Sequence, residues 1–331
     1  MKKAVYNPRN HGSFESEWGI HKNNREWWYA TGIMFDEEGN MYSWQYTLLH
    51  LAFGPIVPKV TMVALTDYKD KRHYYFQDTF IFSDKVSISE NEASVKGVAS
   101  AVKKEKGIEI KLSHKDFSLD VMCDYGKGAV WHCDNGLLQM GIPDENATTL
   151  YYSWTSMPTE GTLVLKGKKI KLTGKTWFDK QGGTYNMADM RCHWEWFSLR
   201  FFDDEEMMLF TFPHNESPEY DGTYIDKDGK YIRLFDYSIE RLTVTEHKGL
   251  KWSAGWRFHS KYKDKDYLIE PLQEGHMNFA YFEELCSIKT TDGKMVGYAF
   301  AELLPGVLNK DTLMSGSANI SMKNLFKRVE F

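Results

Sequence analysis

Three short stretches carry the side chains best suited to moving a proton. Residues 176–183 read TWFDKQGG, in which one acid, Asp179, follows Trp177 and Phe178 and precedes Lys180, the amide of Gln181 and two glycines. Residues 25–32 read REWWYATG, with Glu26 and Trp28, and residues 193–197 read HWEWF, with His193, Glu195 and Trp196. In an extended chain successive side chains alternate in direction. Asp179 therefore shares a side with Trp177, and Lys180 points the other way. An acid beside an indole and away from water has its charged form disfavoured and can deliver a proton near neutral pH. Protonation of an otherwise inert carbon–carbon double bond needs such a group. The plainer readings stand beside this one: Asp179 as a strand-end residue ahead of Gly182 and Gly183, Arg25 and Glu26 as a surface ion pair, and His193 with Glu195 as a solvent face.

The elements that must hold these groups read as β-strands. In GIEIKLS, Ile108, Ile110 and Leu112 alternate with polar residues, and in FSLDVMC so do Phe117, Leu119, Val121 and Cys123. Turn signals recur between such runs: DEEGN at 36–40, YGKG at 125–128, LKGKK at 165–169, DKDGK at 226–230 and TTDGK at 290–294. Helical periodicity is hard to find, so the pattern predicts an antiparallel all-β protein of sandwich or barrel type. The length of 331 residues exceeds what one core usually serves and predicts two units. EWWYATGIMFDEEGNMYSW (26–44) and EWFSLRFFDDEEMMLFTF (195–212) echo each other as aromatic pair, strand, acidic turn and strand, as a duplicated β unit would. The expected division falls near residue 187, giving domains 1–187 and 188–331.

Composition narrows the partners. Aromatics reach 15% of the chain, with 19 Tyr, 20 Phe and 11 Trp, enough to wall a large apolar pocket. A net charge of -5 with scattered Lys and Arg argues against nucleic acid as the partner. Residues 41–58 lack charge but include Gln45, His50, Gly54 and two prolines, so they read as buried protein rather than a membrane segment. MKKAVYNPRNHG has no apolar run behind its lysines, and no secretory signal is expected. Cys123, Cys133, Cys192 and Cys286 have no zinc-like spacing and read as free thiols of a cytoplasmic protein. The glycosylation-like triplets at Asn146, Asn215 and Asn319 then carry no meaning. There is no HExxH, Walker loop, GxSxG elbow or dinucleotide fingerprint, so neither metal nor cofactor is indicated.

Taken in order, these stretches resemble the family of the carotenoid 1,2-hydratases (hydroxyneurosporene synthases) and AttH-like proteins. The resemblance covers most of the chain: EWWYATG, then YYSWTSMPTEGTLVLKGKKIKLTGKTWFDKQGG (151–183), WEWFSLRF (194–201) and YFEELCSIKTTDGKMVGYAFAEL (281–303). It implies two packed lipocalin-like β domains and a greasy terpenoid or polyketide-like substrate. It also implies that Asp179 stands at the place of an alkene-protonating aspartate, Trp177 at that of a tyrosine, and Tyr152 with Trp154 at that of a His-x-Trp. The common D-H-Q-W-G appears here as DKQGG, and loss of the indole at Gly182 is expected to enlarge or open the pocket.

The leading expectation is an enzyme of hydro-lyase or isomerase type acting on a hydrophobic unsaturated molecule. Asp179 would be general acid or base and Tyr152 a donor or proton relay. Trp28, Trp154, Trp177 and Trp196, with Gln181, would line the substrate site, and His50, His193 or Glu26 would activate water. A pericyclase (cyclase) of the same family and a carrier without chemistry are the alternatives.

Overall fold

In a computed structural model of the chain, the described residues are 12–331 without 15, 22, 23, 145, 188, 216–218, 274–280 and 313–323. The N-terminal dozen, apart from Gly12, and the triplet at Asn319 lie outside them, as does most of the triplet at Asn215. The fold is all-β, with two antiparallel sheets, and among the described residues no helix is long and apolar enough to cross a membrane.

The first sheet is built from β1 (Arg25–Phe35), β2 (Met41–Leu51), β3 (Lys59–Asp67), β4 (Arg72–Phe80), β5 (Val86–Ile88), β6 (Glu92–Val95), β7 (Ala99–Lys103), β8 (Gly107–Ser113) and β9 (Phe117–Asp124). After the short β10 (Ala129–Trp131) and β11 (Leu137–Gln139) come the long β12 (Thr148–Leu165) and β13 (Lys168–Gly183). The second sheet uses β14 (Glu195–Phe201), β15 (Glu206–Thr211), β16 (Tyr220–Ile225), β17 (Tyr231–Leu234), β18 (Tyr237–His247), β19 (Leu250–Ser260), β20 (Lys265–Pro271), β21 (Phe282–Thr290) and β22 (Met295–Leu303). A last strand, β23 (Val329–Glu330), pairs with β4, so the first sheet runs β23-β4-β3-β2-β1-β13-β12-β9-β8-β7-β6-β5. The second runs β17-β16-β15-β14-β22-β21-β20-β19-β18.

Alternation sets the register. Ile108, Ile110 and Leu112 of β8 face Cys123, Val121 and Leu119 of β9, and β9 is buried at every second residue. A one-residue slip would turn all of these outward. Four of the five turn signals close hairpins. In DEEGN and DKDGK, Asp36 and Asp226 each accept two backbone N–H groups of their own turn, and Gly39 and Gly229 take positive φ. At 166–167 both residues have positive φ, the turn that matches strand twist. YGKG is the exception, joining β9 to β10 rather than to its sheet neighbour.

Chain compactness does not follow one cut at residue 187. One unit gathers 12–130, Leu150–Thr184 and Phe326–Phe331; the other gathers Trp131–Thr149 and Tyr185–Leu325. Neither range is continuous: Trp131–Thr149 goes with the later unit, and pairing with β4 returns the last residues to the first sheet. In the later unit Phe197, Leu199, Leu209, Trp256, Phe258 and Ile288 belong to one buried cluster. All four cysteines are buried free thiols.

Candidate functional site

Asp179 is 3% exposed, on β13 between β1 and β12. Its Oδ1 accepts from Trp177 Nε1 at 2.6 Å, from Tyr151 Oη at 3.1 Å and from Ser153 Oγ. The expected pairing of Trp177 with Asp179 is present, yet the indole acts through its N–H as well as its ring. The acid is therefore not in an apolar wall: three donors converge on one oxygen and satisfy it. Hydrogen bonds converging on a carboxyl oxygen fix its direction. This is the geometry of a general base, or of an anion placed to steady a developing cation.

Tyr151 and Ser153 replace Tyr152 as the partners of Asp179. Tyr152 Oη instead donates to the Phe14 carbonyl at 3.0 Å, and its ring lies 5.3 Å from that of Phe14. The physical reason is a change of phase along β12. Thr159 Oγ1 meets Thr176 Oγ1 at 2.8 Å and Ser153 meets Asp179, so six steps along β12 match three along β13. In regular pairing the two counts agree in parity, so the alternation slips once between these contacts. Pro158, which has no N–H to give a ladder, lies in that stretch. The slip turns odd-numbered Tyr151 and Ser153 toward Asp179 and leaves Trp154 on the other face. There Trp154 packs 6.0 Å from Phe178 and 6.4 Å from Trp18. In the sequence Pro158 marks this stretch.

Register with β1 completes the Asp179 face. Tyr29 lies opposite Asp179, Thr31 opposite Trp177 and Trp27 opposite Gln181. Gln181, at 2% exposed, is thus on the same side as Asp179. Farther across the sheet this face continues into Gln45 and Thr47, joined by a 2.9 Å hydrogen bond, and into Tyr75 and Gln77, joined at 2.7 Å. A buried sheet face this rich in hydroxyls and amides is not what packing alone selects.

The other face of the same strands holds a buried ion pair. Lys180 Nζ is 2.7 Å from Glu26 Oε2 and 4.3 Å from the Trp28 ring centre. His21 Nδ1 lies 3.0 Å from Glu26 Oε1, and the His21 backbone N–H donates to the same oxygen at 2.8 Å. Burial opposes the charge on Glu26, but the Lys180 ammonium and the His21 hydrogen bond outweigh it and hold the carboxyl at about 2. Hydrogen bonds to Glu17 and Glu26 raise His21 to about 9. Glu26 is thereby neither a surface acid nor a partner of Asp179. Gly182 lies opposite Glu26, and a Cβ built there would overlap the Glu26 side chain. The space expected to widen the pocket is filled by Glu26. Trp28 donates to the Trp18 carbonyl at 3.0 Å, and His50, opposite Glu26, is lowered to about 4 by burial. His50 is a neutral imidazole on the ion-pair face.

His193 and Trp196 belong to the later unit. His193 precedes β14 instead of sharing its alternation. Its Nε2 donates to the Met187 carbonyl at 3.2 Å and its Nδ1 accepts from Gly306 N–H at 2.9 Å. Burial lowers it to about 4. Both nitrogens are spent on local structure, which opposes a water-activating role. Trp196 is buried within β14, between Phe210 and Glu302 in register. Glu195 is not a solvent-face residue: it is 1% exposed, accepts from Ser253 and pairs with Arg241 at 2.8 Å.

Comparison with known proteins gives a consistent picture. A family model described as AttH-like matches residues 5–306. A Nitrosomonas europaea protein described as an AttH is similar with a TM-score of 0.81 at 19% identity, over 92% of this chain and 100% of that one. Kievitone hydratase from Nectria haematococca is similar at 0.69 and 17% identity, over 92% and 96% of the two chains. CghA, solved with Sch210972, is similar at 0.50 and 8%, over 85% and 89%. Comparison with curated sequences gives no match.

Proposed function

Because the chain belongs to the AttH-like family, we propose that it is an enzyme of hydratase or dehydratase type acting on a hydrophobic, unsaturated small molecule. The observation that carries this reading is the convergence of Trp177, Tyr151 and Ser153 on one oxygen of a buried carboxylate. In the dehydrating direction Asp179 removes a proton beside a carbon that loses hydroxide or water. In the hydrating direction the protonated carboxyl gives its proton to the alkene, water adds to the carbon left positive, and the carboxylate takes up the proton that the added water sheds, with Tyr151 and Ser153 keeping its orientation as the charge changes. Trp177 and the ring of Tyr29 on the neighbouring strand offer π-faces that steady positive charge at carbon. The fold shared with kievitone hydratase is one that serves a hydratase, which supports the reaction class without fixing the substrate.

The test is turnover of a panel of isoprenoid and polyketide-type alkenes and their tertiary alcohols, followed by mass spectrometry. Asp179→Asn is expected to lower kcat about 10²- to 10⁴-fold, the usual range for a positioned acid–base group. Turnover that survives the substitution sinks proton transfer at Asp179. It would favour a shape-driven cyclase of the same family, which needs no titrating acid.

A further inference from the structure

At the end of the first sheet where β3 begins and β4 ends, two loops put apolar side chains into water. Residues 53–58 read FGPIVP and residues 80–86 read FIFSDKV, and Lys59 stands opposite Phe80 in register. A notch of about 300 Å³ opens between them, lined by Pro55, Val57 and Lys59 from one side and Phe80, Phe82 and Val86 from the other. Beside it Ile56 is 50% exposed, Ile81 48% and Phe82 93%. Single exposed apolar residues are ordinary on a protein surface. Three gathered on adjoining loops are a candidate interaction surface. Phe82 also sits at φ 53°, in the left-handed region that a bulky side chain rarely adopts. Its ring gains almost no packing within the chain, so this turn serves to project it outward.

Charge around the loops is mostly of one sign. Lys59 is half-buried at the notch, whereas Lys85 and Lys96 are exposed and adjacent, since the Lys96 N–H donates to the Lys85 carbonyl at 2.8 Å. Among the described residues none of these three ammonium groups is tied to a carboxylate. The exposed Asp84 offsets at most one of them, and Asp78 is taken by Arg328 at 3.6 Å. Projecting apolar side chains ringed by ammonium groups complement the boundary of an anionic bilayer, where acyl chains lie just beneath phosphate headgroups. A protein partner would need a groove shaped to these loops; a lipid surface deforms around them. We propose that this surface docks the protein on a membrane rich in anionic lipid, with Ile56, Ile81 and Phe82 entering the headgroup boundary and Lys59, Lys85 and Lys96 meeting lipid phosphates. Contact is with one leaflet and does not depend on what Asp179 catalyses.

Flotation of the full chain with large unilamellar vesicles tests this, comparing phosphatidylcholine alone with an equal mixture of phosphatidylcholine and phosphatidylglycerol. The wild type is expected to float with the mixed vesicles and to be released by high salt. Phe82→Asn, which keeps a left-handed turn, should lower the partition coefficient about tenfold, the order of one buried aromatic side chain. Lys59→Gln with Lys85→Gln and Lys96→Gln should lower it roughly a hundredfold and leave partition into phosphatidylcholine alone unchanged. Tyr231→Ser, at an exposed aromatic of β17, should change neither. Absence of flotation with the mixed vesicles, an unchanged partition in Phe82→Asn, or an equal loss in Tyr231→Ser overturns the proposal. Absent flotation together with self-association that Phe82→Asn abolishes in sedimentation velocity would give the surface to a second copy of this chain instead.

Discussion

The two faces of β13 treat buried charge in opposite ways. On one face Glu26 meets a buried ammonium, Lys180, and a histidine held protonated, so its charge is neutralised where it stands. On the other face the contacts of Asp179 include two hydroxyls and an indole N–H. A carboxylate locked to a cation has little left to offer a reacting atom. One that accepts from hydroxyls and an indole N–H is held in direction by them. Burial of an acid is therefore a poor sign of chemistry by itself, since Glu26 is buried and is spent on Lys180 and His21.

The sharpest break of this comparison is Asp179→Asn, whose loss of turnover should be the largest effect while the thermal midpoint changes little. Next comes Lys180→Met, which strands the Glu26 charge in the interior. Removing one partner of a buried pair costs about 3–5 kcal/mol, and chemical denaturation should show most of it regained in Lys180→Met with Glu26→Gln. Full recovery of stability in the single variant would mean that the pair is not buried as described. Gly182→Ala is a smaller disturbance. Gly182 does not adopt a positive φ, so its cost is the overlap with Glu26 alone, about 1–3 kcal/mol by analogy with overpacked cores. A neutral or stabilising result in a denaturant titration would show that Glu26 has another place to go.

The smallest effect concerns His21, which is 40% exposed and hence screened by solvent. Its folded value of about 9 lies above the ordinary 6.5, so its contribution is fully present below 6.5 and is lost as pH rises through about 9. The thermal midpoint of the wild type should fall across that interval, with Glu17 and Glu26 as the partners released. His21→Ala should flatten the fall; an unchanged slope would assign the alkaline loss to another group.

Much of the fold was legible because alternation and turn chemistry are local. Ile108 to Leu112 and Phe117 to Cys123 announced which side they bury, and DEEGN, LKGKK, DKDGK and TTDGK announced hairpins. Asp179 with Trp177 was legible for the same reason, since two residues apart on a strand means one face. The partners of Asp179 were not, because they depend on where β12 loses step with β13. A slip near Pro158 exchanges Tyr152 and Trp154 for Tyr151 and Ser153 without changing the composition of the strand. The fate of Gly182 was hidden too. Its meaning depends on Glu26, 156 residues earlier, and pairing over such a distance leaves no local trace. His193 was misplaced by one assumption, that the strand opening at Glu195 already included it.

The return of β23 to β4 has a consequence for how the molecule is made. The sheet that carries Asp179 has its β4 edge covered by Val329 and Glu330, Phe331 exchanges backbone hydrogen bonds with Tyr75 of β4, and Gln77 donates to the Lys327 carbonyl at 2.9 Å. During synthesis β4 emerges some 250 residues ahead of these partners, and in that interval its unpaired backbone can template a neighbouring nascent chain. Sealing that edge is among the last events in the assembly of this sheet. Shielding by a chaperone should therefore matter most before Val329 and Glu330 are available to pair with β4.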